Sequence, residues 1–272
     1  MSPQLEAFVE YITIIKALSK ASIDAYSNDL SLIEEFYNKP LIQIDEVTLL
    51  EYLSGFENKR TLNRKLSSIN AFFDFCHQEF SKEQLKFKFS KIPSTLPKYL
   101  SFEQIMNALS LIDRSSWIGL RDYAMILFLY ATGLRISECL SLAHNDFEEQ
   151  WLRVRHAKGD KERIVPVAAE AIKAIKAYEC ECPFESTDVW LNYRGKSLSR
   201  ISAYKITKKY LNVSPHVLRH SYATALILGG ADLRIVQELL GHASLLTTQV
   251  YTHIQKQNLK DTVLQYHPMA NA

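Results

Sequence analysis

Two arginines, a lysine, two histidines and a tyrosine in the second half of the chain have the types and spacing for chemistry on an anion. In Ser214-Pro215-His216-Val217-Leu218-Arg219-His220, Ser214 is a good helix N-cap and Pro215 suits the first helical position. His216 and Arg219 then lie three apart on one face of the first turn. That turn offers unpaired backbone N–H groups and the positive end of the helix dipole, so an imidazole and a guanidinium placed there make a site for phosphate. A plainer reading stays open, in which Arg219 pairs with a carboxylate and the histidines are structural. His216 and His220 also have the spacing of two zinc ligands on a helix. Val217, however, stands where a metalloprotease helix carries Glu, which argues against zinc.

A second constellation is Thr132-Gly133-Leu134-Arg135-Ile136-Ser137-Glu138. Arg135 follows a long apolar stretch and a glycine break. It must be either paired or aimed at an anion, and Glu138 is within reach to hold it. Lys158 sits at the tip of an expected hairpin beside Gly159, where an ammonium can reach a ligand and donate a proton or simply be solvated. Leu239-Leu240-Gly241-His242 ends a helix with a glycine and places His242 just beyond it, and Tyr251 follows nine residues later. No carboxylate pair, nucleophile elbow or phosphate-cradling glycine loop accompanies the set. Metal-free attack on a phosphodiester fits it: a tyrosine nucleophile, cations that steady the pentavalent phosphorus, and a side chain that protonates the leaving oxygen.

The elements that must position these groups are mostly helices. The chain has 272 residues, 47% hydrophobic and 23% charged, enough for one large domain or two ordinary ones with real cores. The apolar run at 124–134 is too short to span a membrane and reads as a core helix. The N-terminus lacks the basic patch and apolar stretch of a secretory signal, so the cytoplasm is expected. Four cysteines are too few and too scattered for a disulfide framework. Cys180 and Cys182, which flank Glu181, read as ordinary thiols rather than a metal site. Net charge is +2, but residues 1–96 carry 11 Lys and Arg against 13 Asp and Glu, and residues 97–272 carry 21 against 17. The positive excess therefore lies with the candidate chemistry.

Two prolines and two lysines at 91–98 read as an interdomain linker. Before it, apolar faces recur at helical spacing and predict a bundle of four or five helices. Ser22 or Asp24 could cap the second helix and Asp45 the third. The fourth begins with Lys59, Arg60, Arg64 and Lys65 within seven residues. Cations there oppose the helix dipole, so either phosphate contact or a solvated basic face must account for them. Past the linker, helices are expected from Ser101, over 119–130, after Gly133, and over 168–178, 198–210, 215–228, 233–240, 247–255 and 259–266. Alternation at 151–156 and 161–167 predicts a β-hairpin, and 188–192 a third short strand.

The order and rough spacing of Ala131-Thr132-Gly133-Leu134-Arg135-Ile136-Ser137-Glu138, the Lys158 hairpin, His216-Val217-Leu218-Arg219-His220, Leu240-Gly241-His242 and Tyr251 resemble the tyrosine recombinase (phage integrase) family over essentially the full chain. Ile23-Asp24-Ala25-Tyr26-Ser27-Asn28-Asp29-Leu30, Leu96-Pro97-Lys98-Tyr99-Leu100, Tyr251-Thr252-His253 and His267-Pro268 resemble its Xer branch. The resemblance implies a mainly α fold with a small antiparallel sheet in the C-terminal domain, the two domains forming a DNA clamp. Residues 1–92 would be a helical core-binding (SAM-like) DNA-binding domain, 93–98 a linker, and 99–272 a catalytic domain with an exchange tail from about residue 257. It implies that Arg135 and Arg219 grip the scissile phosphate, His216 handles protons, His242 hydrogen-bonds the phosphate, Lys158 is the general acid and Tyr251 the nucleophile. Glu138 would support the first arginine. Ala157 departs from the pattern, which has Gly there.

It implies neither metal nor other cofactor, and a double-stranded DNA partner with a specific site. It also implies a homo- or hetero-tetramer on DNA and no membrane, and it leaves room for an activating protein; Leu259, Val263, Leu264 and Tyr266 of the tail either dock on a neighbour or pack on their own domain. Lys59, Arg60, Arg64, Lys65, Lys205, Lys208 and Lys209 are candidates for backbone contacts. The expected activity is site-specific recombination through a 3′-phosphotyrosyl intermediate and a Holliday junction, as in resolving chromosome or plasmid dimers. The alternatives are type IB topoisomerase-like relaxation and a non-catalytic, architectural DNA-binding role.

Overall fold

The computed structural model describes residues 1–16, 18–82, 84–91, 98–157, 161–241 and 253–270. The chain divides into two compact units, Met1–Thr95 and Leu96–Ala272.

Four helices build the first unit: α1 (Pro3–Ile14), α2 (Lys20–Tyr37), α3 (Glu46–Ser54) and α4 (Lys59–Phe80). Their apolar stripes close on Phe8, Leu30, Ile33, Leu49, Ile69, Phe72 and Phe73, all fully buried. Asp45 caps α3 as expected, accepting from the Thr48 N–H at 2.9 Å. The cap of α2 is Ser19 instead of Ser22 or Asp24, so the helix starts earlier than its apolar pattern suggests. Buried Glu34 accepts from the Ser2 N–H at 2.8 Å, the Ser2 hydroxyl at 2.6 Å and the Leu41 N–H at 2.8 Å, which ties α1 to α2. After α4 the chain runs back along it. Asn70 and Asn63 each donate to and accept from the backbone of that return segment, at Phe87 and Ser90.

The basic start of α4 has a structural answer in part. Arg64 and Lys65 both bond Asp29 on α2. Lys65 is buried, and its ammonium also lies 4.9 Å from the centre of the Phe56 ring and 5.6 Å from that of Tyr52. This corrects the reading of Lys65 as a DNA contact: its charge is spent inside the unit. Arg64 keeps a half-exposed side chain, and Lys59 and Arg60 are exposed.

The second unit is organised on α6 (Trp117–Thr132), of which twelve residues are buried. Around it lie α5 (Phe102–Ser110), α7 (Ile136–Leu140), α8 (Ala169–Glu181), α9 (Arg200–Leu211), α10 (Pro215–Gly229), α11 (Leu233–Leu240) and α12 (His253–Tyr266). Strands β1 (Phe147–Glu148), β2 (Trp151–Ala157) and β3 (Lys161–Pro166) form one antiparallel sheet in that order. The expected hairpin is β2–β3, and its tip lies outside the described residues. The third strand is β1, not 188–192. That segment makes only single bridges, Ala143 to Asp188 and Leu191 to Ser197, because it pairs with two different stretches of chain and no ladder can extend.

The last two predicted helices differ as well. One helix, α12, starts at His253 and runs through 259–266, while 247–252 lie outside the described residues. Leu259 and Val263 are buried against Tyr222, Leu226, Val236 and Leu239 of the same unit, and Leu264 is exposed. Of the two readings left open, docking on a neighbour or packing on its own domain, the second is what Leu259 and Val263 show. No helix among the described residues is long and apolar enough to cross a membrane.

Candidate phosphate-binding site

The site is assembled where α6 ends. Gly133 leaves the helix with φ +61°, and a Cβ there would meet the Tyr222 ring at 2.4 Å, so only glycine fits. The turn delivers Arg135 to the N-cap position of α7. Glu138, three residues on, reaches back and accepts from the Arg135 backbone N–H at 2.8 Å and from its Nη1 at 2.7 Å. Arg135 Nη2 donates to the Gly241 carbonyl at 3.2 Å. A guanidinium has more donors than these, and the Arg135 side chain is 31% exposed.

Arg219 comes from the first turn of α10 and is 5% exposed. Its Nη1 donates to the Gly133 carbonyl at 2.8 Å and its Nη2 to the Leu240 carbonyl at 2.6 Å. These carbonyls close the C-terminal ends of α6 and α11. Arg219 Nη1 stands 4.0 Å from Glu138 Oε2, so one carboxylate lies between two guanidiniums. Burial, with the neighbouring charge of Arg135, pulls the Arg219 pKa down to about 10, which still leaves it cationic at neutral pH. Burial alone would raise the Glu138 pKa. Hydrogen bonds and charge from Arg163, joined by the Arg135 donors, win and hold it at about 2.

His216 lies one turn before Arg219, exposed, with its ring centre 4.5 Å from that of His220. Partial burial and the charges of His220, Arg219 and Arg135 lower its pKa, which favours a neutral imidazole able to accept a proton.

The structure thus gathers Arg135, Glu138, Arg219 and His216. Lys158, His242 and Tyr251 lie outside the described residues. Lys205, Lys208 and Lys209 are exposed on α9. Among the described residues, no group of three or more His, Cys, Asp or Glu is placed to hold a metal ion. Sequence reasoning missed Arg163 on β3. Its signal was the strand alternation, which puts Arg163 on the same inward face as Val165, where a charge needs a buried partner.

Guanidiniums collected around one buried carboxylate, with an imidazole on the same helix, suit a protein that handles phosphodiesters. Sequence comparison gives that class its family. The model of the phage integrase family matches residues 98–258, and that of the phage integrase N-terminal SAM-like domain matches residues 5–79. Tyrosine recombinase XerD of Listeria innocua serovar 6a is 34% identical over 297 residues, covering 99% of this chain and all of that protein. Tyrosine recombinase XerC of Bacillus subtilis is 32% identical and covers 98% and 96%. Among solved structures, the post-cleavage complex of XerH site-specific recombinase with palindromic difH substrate superposes with a TM-score of 0.66 at 25% identity, covering 96% and 84%. The Tn1549 transposon integrase in complex with circular intermediate DNA shares the fold at 18% identity, with a TM-score of 0.68 over 93% and 97%.

The chain belongs to the phage integrase family, the tyrosine recombinases. It is a site-specific recombinase of the Xer type, an enzyme that cleaves and rejoins DNA, and neither the topoisomerase-like nor the architectural alternative is favoured.

Proposed function

We propose that this recombinase acts through Tyr251. The phenolic oxygen attacks the scissile phosphorus, a 3′-phosphotyrosyl bond forms, the bond to the 5′-oxygen breaks, and Lys158 protonates that oxygen as it leaves. Arg135 and Arg219 hold the non-bridging oxygens and steady the added negative charge of the pentavalent phosphorus. His216 takes part in moving the tyrosine proton, and His242 hydrogen-bonds the phosphate. Attack by the 5′-hydroxyl of a partner strand reverses the step, with a Holliday junction as intermediate. The phosphotyrosyl bond conserves the energy of the broken diester, so the chemistry draws on neither metal nor nucleotide.

The observation that carries this reading is the Arg135–Glu138–Arg219 arrangement, in which Arg135 is bonded to Glu138, Arg219 stands 4.0 Å from the same carboxylate, and both guanidiniums are fixed to helix-end carbonyls. Such fixed donors are preorganised and need little rearrangement when charge develops.

The partner is double-stranded DNA bearing a recombination site. Residues 1–92 bind it as the core-binding domain, 93–98 link, and 99–272 catalyse, with exposed Lys59, Arg60, Lys205, Lys208 and Lys209 and half-exposed Arg64 on phosphates. Four protomers, like or unlike, assemble on two sites in the cytoplasm, joined through the tail beyond about residue 257. The role is resolution of chromosome or plasmid dimers.

Incubation with a nicked suicide duplex in EDTA tests the chemistry. A covalent protein–DNA band that disappears in Tyr251→Phe supports it. A band that persists in that variant, or one that requires a divalent ion, refutes it.

A further inference from the structure

We infer that Arg163 is a positioning residue for recombination, one that sets both guanidiniums of the phosphate site through Glu138 and the α11 terminus. This rests on the proposed roles of Arg135 and Arg219.

Arg163 stands on β3 opposite Val154 and faces the core, with a side chain only 4% exposed. All three of its guanidinium nitrogens are engaged. Nη1 donates to Glu138 Oε1 at 3.0 Å, Nη2 to Oε2 at 2.8 Å, and Nε to the Leu239 carbonyl at 3.2 Å. Glu138 therefore receives two donors on each oxygen, one from Arg163 and one from Arg135 at each. A carboxylate accepts about four hydrogen bonds, so Glu138 is saturated.

Saturation decides what Arg219 does. Its Nη1 lies 4.0 Å from Glu138 Oε2 yet donates to the Gly133 carbonyl. With the Arg163 fork in place, Glu138 has no lone pair left to draw Arg219 inward. Without the fork, two acceptor sites open beside a buried cation, and Arg219 moves onto the carboxylate and away from a phosphate.

The same side chain supports the other arginine from below. A Cβ on Gly241 would lie 2.9 Å from Arg163 Nη1 and 3.0 Å from its Cζ, so the Arg163 guanidinium fills the space a side chain would take. The Gly241 carbonyl receives Arg135 Nη2, and the Leu240 carbonyl receives Arg219 Nη2. Arg163 thus underlies the stretch of backbone that both arginines grip, and that backbone leads directly to His242. Three guanidiniums share one carboxylate here, and the resulting excess of positive charge is what an incoming phosphate diester would meet.

Arg163→Lys is the test, because it keeps a cation but gives up the fork and the Leu239 bond. Adduct formation on the suicide duplex is followed in a single turnover, with DNA affinity and thermal melting measured on the same protein. The expected result is a loss of about 10- to 100-fold in the rate of adduct formation, with DNA affinity within about 3-fold of the parent. A second readout is the pH profile. Weakening the fork lets the Glu138 pKa rise, so the acid limb of cleavage moves to higher pH, which a merely structural role would not do. A third is the cycle of Arg163→Lys, Glu138→Gln and the double variant, in which the double is expected to lose less than the product of the two single losses because part of each effect passes through the same carboxylate.

A cleavage rate and acid limb in Arg163→Lys equal to the parent's overturn the inference, as do losses that simply multiply in the double variant. If Arg163→Lys does not fold, Arg163→Gln is measured by the same three readouts and the same outcomes decide. Failure of the parent protein to form any adduct would instead refute the proposed chemistry, which keeps the two failures distinct.

Discussion

Arg219→Ala should harm cleavage and folding together, whereas Arg135→Ala should harm cleavage nearly alone. The difference comes from where each guanidinium sits. Arg219 is 5% exposed and satisfies the carbonyls of Gly133 and Leu240 at 2.8 and 2.6 Å. Truncation leaves both without that donor at buried helix ends, at about 1–2 kcal/mol each, so the second unit should lose about 2–4 kcal/mol of stability. Arg135 is 31% exposed on its side chain, and Glu138 keeps its two bonds from Arg163 when Arg135 is cut back. The stability loss there should stay near 1 kcal/mol. For cleavage the two are alike, since each removes a preorganised donor to the charged phosphorus. That costs about 3–4 kcal/mol, or roughly 10²- to 10³-fold in rate.

Single-turnover adduct formation on the suicide duplex measures the cleavage term, and urea unfolding of the same preparations measures the stability term. The reasoning about preorganised donors is refuted if either variant cleaves within about 5-fold of the parent while folded. The reasoning about buried carbonyls is refuted if Arg135→Ala destabilises as much as Arg219→Ala.

Two further expectations concern parts of the chain away from the phosphate. Asp29→Asn removes the partner of buried Lys65 and should destabilise the first unit by about 3–5 kcal/mol, and Lys65→Met added to it should recover much of that loss. Unfolding of the three proteins checks this, and a double variant no more stable than Asp29→Asn would contradict it. His267 is buried between Tyr130 and Tyr222, with ring centres 4.9 and 5.0 Å away, and burial lowers its pKa to about 4. The unfolded chain then binds a proton between about pH 6.5 and 4 that the folded chain refuses. The stability associated with His267 is therefore complete above about pH 6.5 and declines as pH falls towards 4, by about 2 kcal/mol at pH 5. Melting at pH 7 and pH 5 should show this drop, and it should shrink in His267→Phe; an unchanged drop in that variant would exclude His267 as its source.

What could be read directly from residue order is what neighbours within about four positions decide. The unbroken apolar run of α6, the Asp45 cap, the glycine break at 133 and the reach from Glu138 to Arg135 all depend on local sequence, and the structure shows each of them. Ser19 and the single-bridge segment at 188–192 show where local signals compete: several serines or apolar runs qualify, and packing selects among them.

The remainder was decided only by tertiary structure. Lys65 finds Asp29 at 36 positions' separation, Arg163 finds Glu138 at 25, and Arg219 finds the Gly133 carbonyl at 86. A buried charge announces that it needs a partner, but which carboxylate or carbonyl answers depends on how the elements pack against each other. That is why a basic helix start can be read equally well as a DNA contact or an internal ion pair until the fold is known.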